Sequence, residues 1–136
     1  MIVKERKKPV KIQKLEALLR RLPPQHPKQK EIEENLAKSL SGYRGEQSLD
    51  YYLSFLPPKQ QLILHDLRLK ENGRYFQIDT LILTKAFILI IEAKNIAGTI
   101  FFDTAFHQLI RTIDGKEEAF PDPIMQITRQ KQQLQQ

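Results

Sequence analysis

The spacing of hydrophobic residues changes near residue 60, and this change constrains the fold more than any other feature. Before residue 60 the apolar residues recur every three or four positions, which is typical of amphipathic helices. We predict three helices, each ended by proline or by Ser41-Gly42: Lys11–Leu22, Pro27 to about Leu40, and about Gly45 to Leu56.

After residue 60 the apolar residues alternate with polar ones, which is typical of strands. The predicted strands are Gln61–Leu69, Tyr75–Thr84, Phe87–Asn95, Thr99–Phe102 and Gln108–Ile113. Because Phe87–Ile91 is apolar on both faces, we expect a central strand that is covered on both sides. Asp122-Pro123 begins a last helix, from Ile124 to at least Leu134, which we expect to continue to the end of the chain. The fold class is therefore α/β, with a mixed sheet of four or five strands flanked by helices.

The positive charge is concentrated at the N-terminus of this 136-residue chain, whose formal net charge is +6. Residues 1–30 contain ten Lys and Arg against only Glu5 and Glu16. A basic helical arm over residues 1–41 could therefore bind DNA through its phosphates, without reading sequence. A solvated helix face explains the same charge equally well. The candidate phosphate-binding residues are Lys4, Arg6, Lys7, Lys8, Lys11 and Lys14.

Composition excludes several classes of protein. Without cysteine, neither a disulfide scaffold nor a thiolate zinc site can form. No apolar run approaches the ~20 residues that span a bilayer, and no signal-peptide pattern is present, so we expect a cytoplasmic protein with no membrane partner. Amphipathic N-terminal helices leave a dimer possible, and we expect the domain to be part of a longer chain.

Three acidic residues occupy positions where the pattern favours apolar side chains: Glu46, Asp79 and Glu92. If the strands around residues 79 and 92 form a hairpin with Lys85-Ala86 at its tip, Asp79 lies opposite Glu92. Opposed carboxylates repel unless a cation lies between them, and Mg²⁺ prefers such oxygen ligands. Lys94, on the same face as Glu92, could then orient or deprotonate water. A surface ion pair between Glu92 and Lys94 is the alternative for these two residues alone.

These residues belong to a longer ordered pattern. It comprises Gly45-Glu46, Leu64-His65-Asp66-Leu67, Gln77-Ile78-Asp79, Ile91-Glu92-Ala93-Lys94-Asn95, Gly98, Pro123-Ile124 and Gln126. The pattern resembles the nuclease-related domain (NERD) family of PD-(D/E)xK nucleases. The resemblance implies a restriction-endonuclease-like core over residues 42–136 after the arm of residues 1–41. The chain departs from the family's usual sequence because it has no tryptophan and no glycine at the hairpin tip.

The resemblance also implies roles for individual residues. Asp79, Glu92 and the backbone carbonyl of Ala93 would bind Mg²⁺, with Mn²⁺ as a possible substitute. Lys94 would be the catalytic lysine and Glu46 an auxiliary acid. Gln126, and Gln130 one turn later, would approach the site from the last helix.

Two functions remain open at this point. One is an enzyme, a Mg²⁺-dependent phosphodiesterase that hydrolyses DNA. The other is a non-catalytic module with the same fold that binds nucleic acid or docks another protein.

Overall fold

The computed structural model describes residues 1–136 and shows an α/β fold, as predicted, but with three helices in place of the four expected and two sheets in place of one. In chain order the elements are β1 Ile2–Lys4, α1 Val10–Arg21, α2 Gln29–Leu53, β2 Gln61–Glu71, β3 Arg74–Thr84, β4 Ile88–Ile91, β5 Thr99–Asp103, β6 Gln108–Ile113, β7 Lys116–Pro121 and α3 Pro123–Leu134. No helix combines the length and the apolar character needed to cross a bilayer.

The main sheet has the strand order β1-β2-β3-β4. It is mixed, because β1 runs parallel to β2 while the other neighbours are antiparallel. The predicted central strand at Phe87–Ile91 is wrong: β4 lies at the edge of the sheet, and Phe87, Ile88 and Leu89 are exposed. An apolar run indicates that a strand can be covered on both faces, but it does not indicate how many neighbours the strand has.

Helix α2 is a single helix of 25 residues, so the predicted break at Ser41-Gly42 is wrong. Glycine in a helix interior costs about 1 kcal/mol relative to alanine, which a long helix can absorb. A side chain at Gly42 would meet no atom within 4 Å, whereas one at Gly45 would lie 2.5 Å from Cβ of Asn95. Gly45 therefore permits α2 to approach the segment that follows β4. The expected division at residues 41 and 42 lies inside this helix.

The N-terminal segment is not the free helical arm that we expected. Residues Ile2–Lys4 form β1, and the amino group of Met1 donates to the carbonyl oxygens of Pro58 (2.9 Å) and Gln61 (2.8 Å). Helix α1 packs on α2 and buries Ile12 completely. Residues Ile2–Lys4 are thus part of the main sheet, where pairing with β2 satisfies backbone groups of this segment.

The second sheet has three antiparallel strands in the order β5-β6-β7. Strand β7 was missed because its sequence, Lys-Glu-Glu-Ala-Phe-Pro, contains almost no apolar alternation. Helix α3 starts as predicted, since the Asp122 side chain accepts a hydrogen bond from the Ile124 amide (2.9 Å). It ends at Leu134 instead of continuing to Gln136. Only eleven residues of the chain are buried, six of them apolar: Ile12, Ile63, Ile78, Leu81, Ile82 and Leu109.

Candidate active site

The hairpin of β3 and β4 has the predicted register. Thr80 pairs with Ile91 and Leu83 with Ile88, so Asp79 and Glu92 stand one position beyond the last pair. The Asp79 carboxylate accepts a hydrogen bond from the Ala93 amide (3.2 Å), which ties the two strand ends together. Both carboxylates line the same cavity, together with Ala93 and Lys94.

The hairpin tip forms without glycine because hydrogen bonds with the Thr84 side chain close the turn. The Thr84 hydroxyl accepts hydrogen bonds from the amides of Ala86 (3.2 Å) and Phe87 (2.9 Å), and it donates to the Phe87 carbonyl (2.9 Å). A local turn of this kind is a common use of threonine. The absence of glycine at the tip therefore does not disturb the register that positions the carboxylates.

Glu92 is held by three side chains. Its own side chain is only 4% exposed, and Lys94 Nζ lies 2.8 Å from Oε1. From α3, Gln126 Nε2 donates to Oε1 (2.7 Å) and Gln130 Nε2 donates to Oε2 (3.3 Å). The structure thus brings together Glu92, Lys94, Gln126 and Gln130, as the resemblance implied. Charge-assisted hydrogen bonds from amides fix the carboxylate without adding charge.

Arg6, a predicted phosphate-binding residue, instead pairs with carboxylates inside the protein. Its side chain is 4% exposed, and its guanidinium lies 3.2 Å from both Glu46 and Asp50. It also contacts Nδ1 of His65 (2.9 Å) and the Thr80 hydroxyl (3.2 Å). Nothing in the spacing of the basic N-terminal residues distinguishes Arg6 from its neighbours, so only the position of β1 reveals this role.

The acidic residues have perturbed pKa values. Burial, followed by the nearby Glu92 carboxylate, raises the pKa of Asp79 to about 6, although the Ala93 amide, Lys94 and Arg6 oppose the change. Burial and then the Asp79 carboxylate raise the pKa of Glu46 to about 7, against the opposing effect of Arg6. Burial is therefore the main cause of both shifts, and the neighbouring carboxylates reinforce it.

The cavity itself has a volume of about 550 Å³ and is lined by Glu46, Asp79, Glu92 and Lys94. Carboxylate oxygens are the donors that Mg²⁺ prefers, and their mutual repulsion is the condition that a divalent cation relieves. No group of three His or acidic side chains is assembled closely enough to form a complete metal centre. The donor set nevertheless fits Mg²⁺, which commonly takes one or two carboxylates and keeps several water ligands.

The remaining N-terminal cations are divided between internal contacts and solvent. Lys4 Nζ donates to the carbonyl oxygens of His65 (2.8 Å) and Asp66 (2.7 Å), and Lys8 pairs with Glu16 (2.5 Å). Three of the six predicted phosphate-binding residues are exposed and make no ion pair: Lys7, Lys11 and Lys14.

Comparison with protein families gives one match, to the family described as "Nuclease-related domain" (NERD), over residues 41–136. Neither the curated proteins nor the solved structures include a significant match. The matched range begins inside α2 and includes every carboxylate of the cavity, Lys94 and the two glutamines of α3. It covers well over half of the chain, and the chain therefore belongs to the nuclease-related domain family.

Proposed function

We propose that this protein hydrolyses phosphodiester bonds in DNA with the help of Mg²⁺. One observation carries the proposal: Glu46, Asp79, Glu92 and Lys94 line a single cavity, where burial and then a neighbouring carboxylate raise the pKa values of Glu46 and Asp79. A protein gains no stability from such a cluster of like charges, and perturbed titratable groups of this kind are concentrated at functional sites.

Asp79, Glu92 and the carbonyl oxygen of Ala93 would hold the metal. When bound, Mg²⁺ stabilises negative charge on a phosphate and lowers the pKa of a bound water. Gln126 and Gln130 keep the Glu92 carboxylate in one orientation through their hydrogen bonds to it. This support matters because a displacement of about 1 Å in a catalytic group can cost about 100-fold in rate.

Lys94 and Glu46 supply the groups that can move charge or protons. Lys94 is 39% exposed, so its ammonium can leave Glu92 for a phosphate oxygen at little cost in solvation. A carboxyl group with a pKa of about 7, such as Glu46, can accept a proton near neutral pH. The exposed Lys7, Lys11 and Lys14 would contribute sequence-independent attraction to the DNA backbone.

A plasmid-nicking assay with Mg²⁺ or Mn²⁺ tests the proposal. We expect Asp79→Asn and Lys94→Met each to lower the cleavage rate by at least about 100-fold, the scale of losing one catalytic group. Two exposed residues without ion pairs provide matched controls for the lost charges, and Glu34→Gln and Lys85→Met should cleave like the wild type.

Isothermal titration with Mn²⁺ separates the enzyme from the non-catalytic module. We expect wild-type protein to bind Mn²⁺ and Asp79→Asn to lose that binding. Equal nicking by all variants would identify a contaminant and refute the assignment. DNA binding without cleavage, and without Mn²⁺ binding that depends on Asp79, would support the docking or binding module instead.

A further inference from the structure

A second cleft adjoins the candidate active site. It lies between α3 and the end of the β2–β3 hairpin and has a volume of about 510 Å³, within the range of small-ligand sites. The residues that matter here are Tyr75, Gln77, Gln126, Arg129, Gln130 and Gln133. Gln126 and Gln130, which line the cleft, also donate to Glu92, which lines the candidate active-site cavity.

One buried acceptor in this cleft lacks a partner. Gln130 is 4% exposed, and its Nε2 donates to the Gln77 carbonyl (2.9 Å) and to Glu92. Its Oε1 is buried and accepts no hydrogen bond. An unpaired buried polar atom costs about 1–3 kcal/mol, so a ligand N–H that reached this oxygen would recover that cost.

An aromatic ring and one cation line the cleft, and two further cations lie against the ring. Tyr75 lines it and is 59% exposed, so its ring is accessible from the cleft. The Arg68 guanidinium lies 4.7 Å from the centre of the Tyr75 ring, and the Lys70 ammonium lies 5.9 Å from it. Arg129 from α3 adds a further positive charge.

We propose that this cleft binds one unpaired nucleobase of a DNA strand, next to the phosphate that is cleaved. The base stacks on Tyr75, and an N–H on its pairing edge donates to Gln130 Oε1. Arg68, Lys70 and Arg129 neutralise the adjoining phosphates. The assignment rests on the proposed action on DNA and narrows its substrate class to strands with a single-stranded segment.

The chemistry of the cleft excludes a base inside a duplex. A paired base has its pairing edge occupied and both faces stacked, so it cannot meet the glutamine amide and the tyrosine ring together. Stacking on aromatic rings tolerates every base, and each nucleobase has an N–H donor on its pairing edge. The site therefore selects an unpaired nucleotide without selecting its sequence.

Fluorescence anisotropy in EDTA tests this inference without any cleavage. The probe is a single-stranded DNA oligonucleotide of about 12 nucleotides, within the site sizes of single-strand-binding folds, at one fixed salt concentration. We expect Tyr75→Ala to raise the Kd for the single strand about 5- to 100-fold, the effect of losing one stacked base. The Kd for a duplex of the same sequence should not change, and Tyr75→Phe should retain single-strand binding.

Tyr51→Ala is the matched control, because Tyr51 is 66% exposed but lies on α2, outside the cleft. Equal weakening by Tyr51→Ala, or no weakening by Tyr75→Ala, would overturn the inference. The same weakening with an RNA strand would extend the base site to either polymer. Since binding in EDTA needs no metal, binding that depends on Tyr75 in a protein that never nicks plasmid would leave the base site standing while the proposed hydrolysis fails. If the protein nicks plasmid but its single-strand binding does not depend on Tyr75, the base site fails while the proposed hydrolysis stands.

Discussion

Replacing Asp79 by asparagine should stabilise the protein at neutral and alkaline pH while removing metal binding. The native carboxyl group holds its proton more tightly than the unfolded chain does, because its pKa is about 6 instead of the ordinary 3.8. Stability is therefore lost as the pH rises from about 4 through about 6, and the loss is complete above that range. Asparagine has no charge to repel Glu92, and its side-chain oxygen can still accept the hydrogen bond from the Ala93 amide.

The magnitude follows from the two pKa values. At 1.36 kcal/mol per pH unit, the change from 3.8 to about 6 corresponds to about 3 kcal/mol when the carboxyl is fully ionised. Because Asp79 is not fully buried, solvent screening reduces this difference in stability by roughly half, to about 1.5 kcal/mol. For a domain of 136 residues, we expect the melting temperature of the variant at pH 8 to exceed that of the wild type by about 5 °C.

Thermal unfolding followed by circular dichroism between pH 4 and pH 8, with EDTA present, measures this difference. The two melting temperatures should nearly coincide at pH 4, separate as the pH rises, and remain separated by a constant amount above about pH 7. Glu34→Gln removes one exposed negative charge from α2 and should show no such separation. A variant that is less stable than the wild type at pH 8, or whose difference is the same at every pH, would refute the electrostatic account of Asp79.

Two further predictions compare neighbouring positions by urea unfolding. Gly45→Ala should destabilise the fold, because its Cβ would lie 2.5 Å from that of Asn95, whereas Gly42→Ala, with open space around it, should stabilise α2 by up to about 1 kcal/mol. A stabilised Gly45→Ala variant would mean that Asn95 moves away from the new side chain at little cost. Arg6→Met should lower the free energy of unfolding by about 3 kcal/mol, because it leaves the carboxylates of Glu46 and Asp50 without their buried cation. The control is Lys7→Met, at the exposed neighbouring residue, which should change the free energy of unfolding by no more than about 0.5 kcal/mol. Equal losses of stability in the two variants would contradict the role of Arg6.

The part of the site that depends on local pattern was predictable. The side-chain period of a strand is two, so the positions of the turn residues fixed the hairpin register and placed Asp79 opposite Glu92. The register needed only neighbours in one hairpin. The approach of Gln126 and Gln130 to the site came from the family resemblance, because no local pattern indicates that α3 packs against the end of β4, where both reach Glu92.

The errors concern relations between distant segments. The sequence around Phe87–Ile91 shows an apolar strand, but whether that strand is central depends on which other strand reaches it. Glycine and serine at 41–42 favour a helix end, yet contacts of α2 with α1 and with the segment after β4 favour a continuous helix. The parallel pairing of β1 with β2 joins residues that are about 60 positions apart, and no local pattern indicates it.

Arg6 and Lys94 both pair with carboxylates of the site, but they differ in burial and in the number of their partners. The Arg6 guanidinium is almost fully buried and contacts four side chains, so releasing it would leave Glu46 and Asp50 without a counter-charge. Lys94 has one protein partner, Glu92, and that carboxylate keeps two glutamine donors if the lysine leaves. In the proposed mechanism, a phosphate entering the cavity would draw Lys94 away while Arg6 keeps its contacts with Glu46 and Asp50. Arg6 would then serve the stability of the fold, and Lys94 would serve the binding of the phosphate.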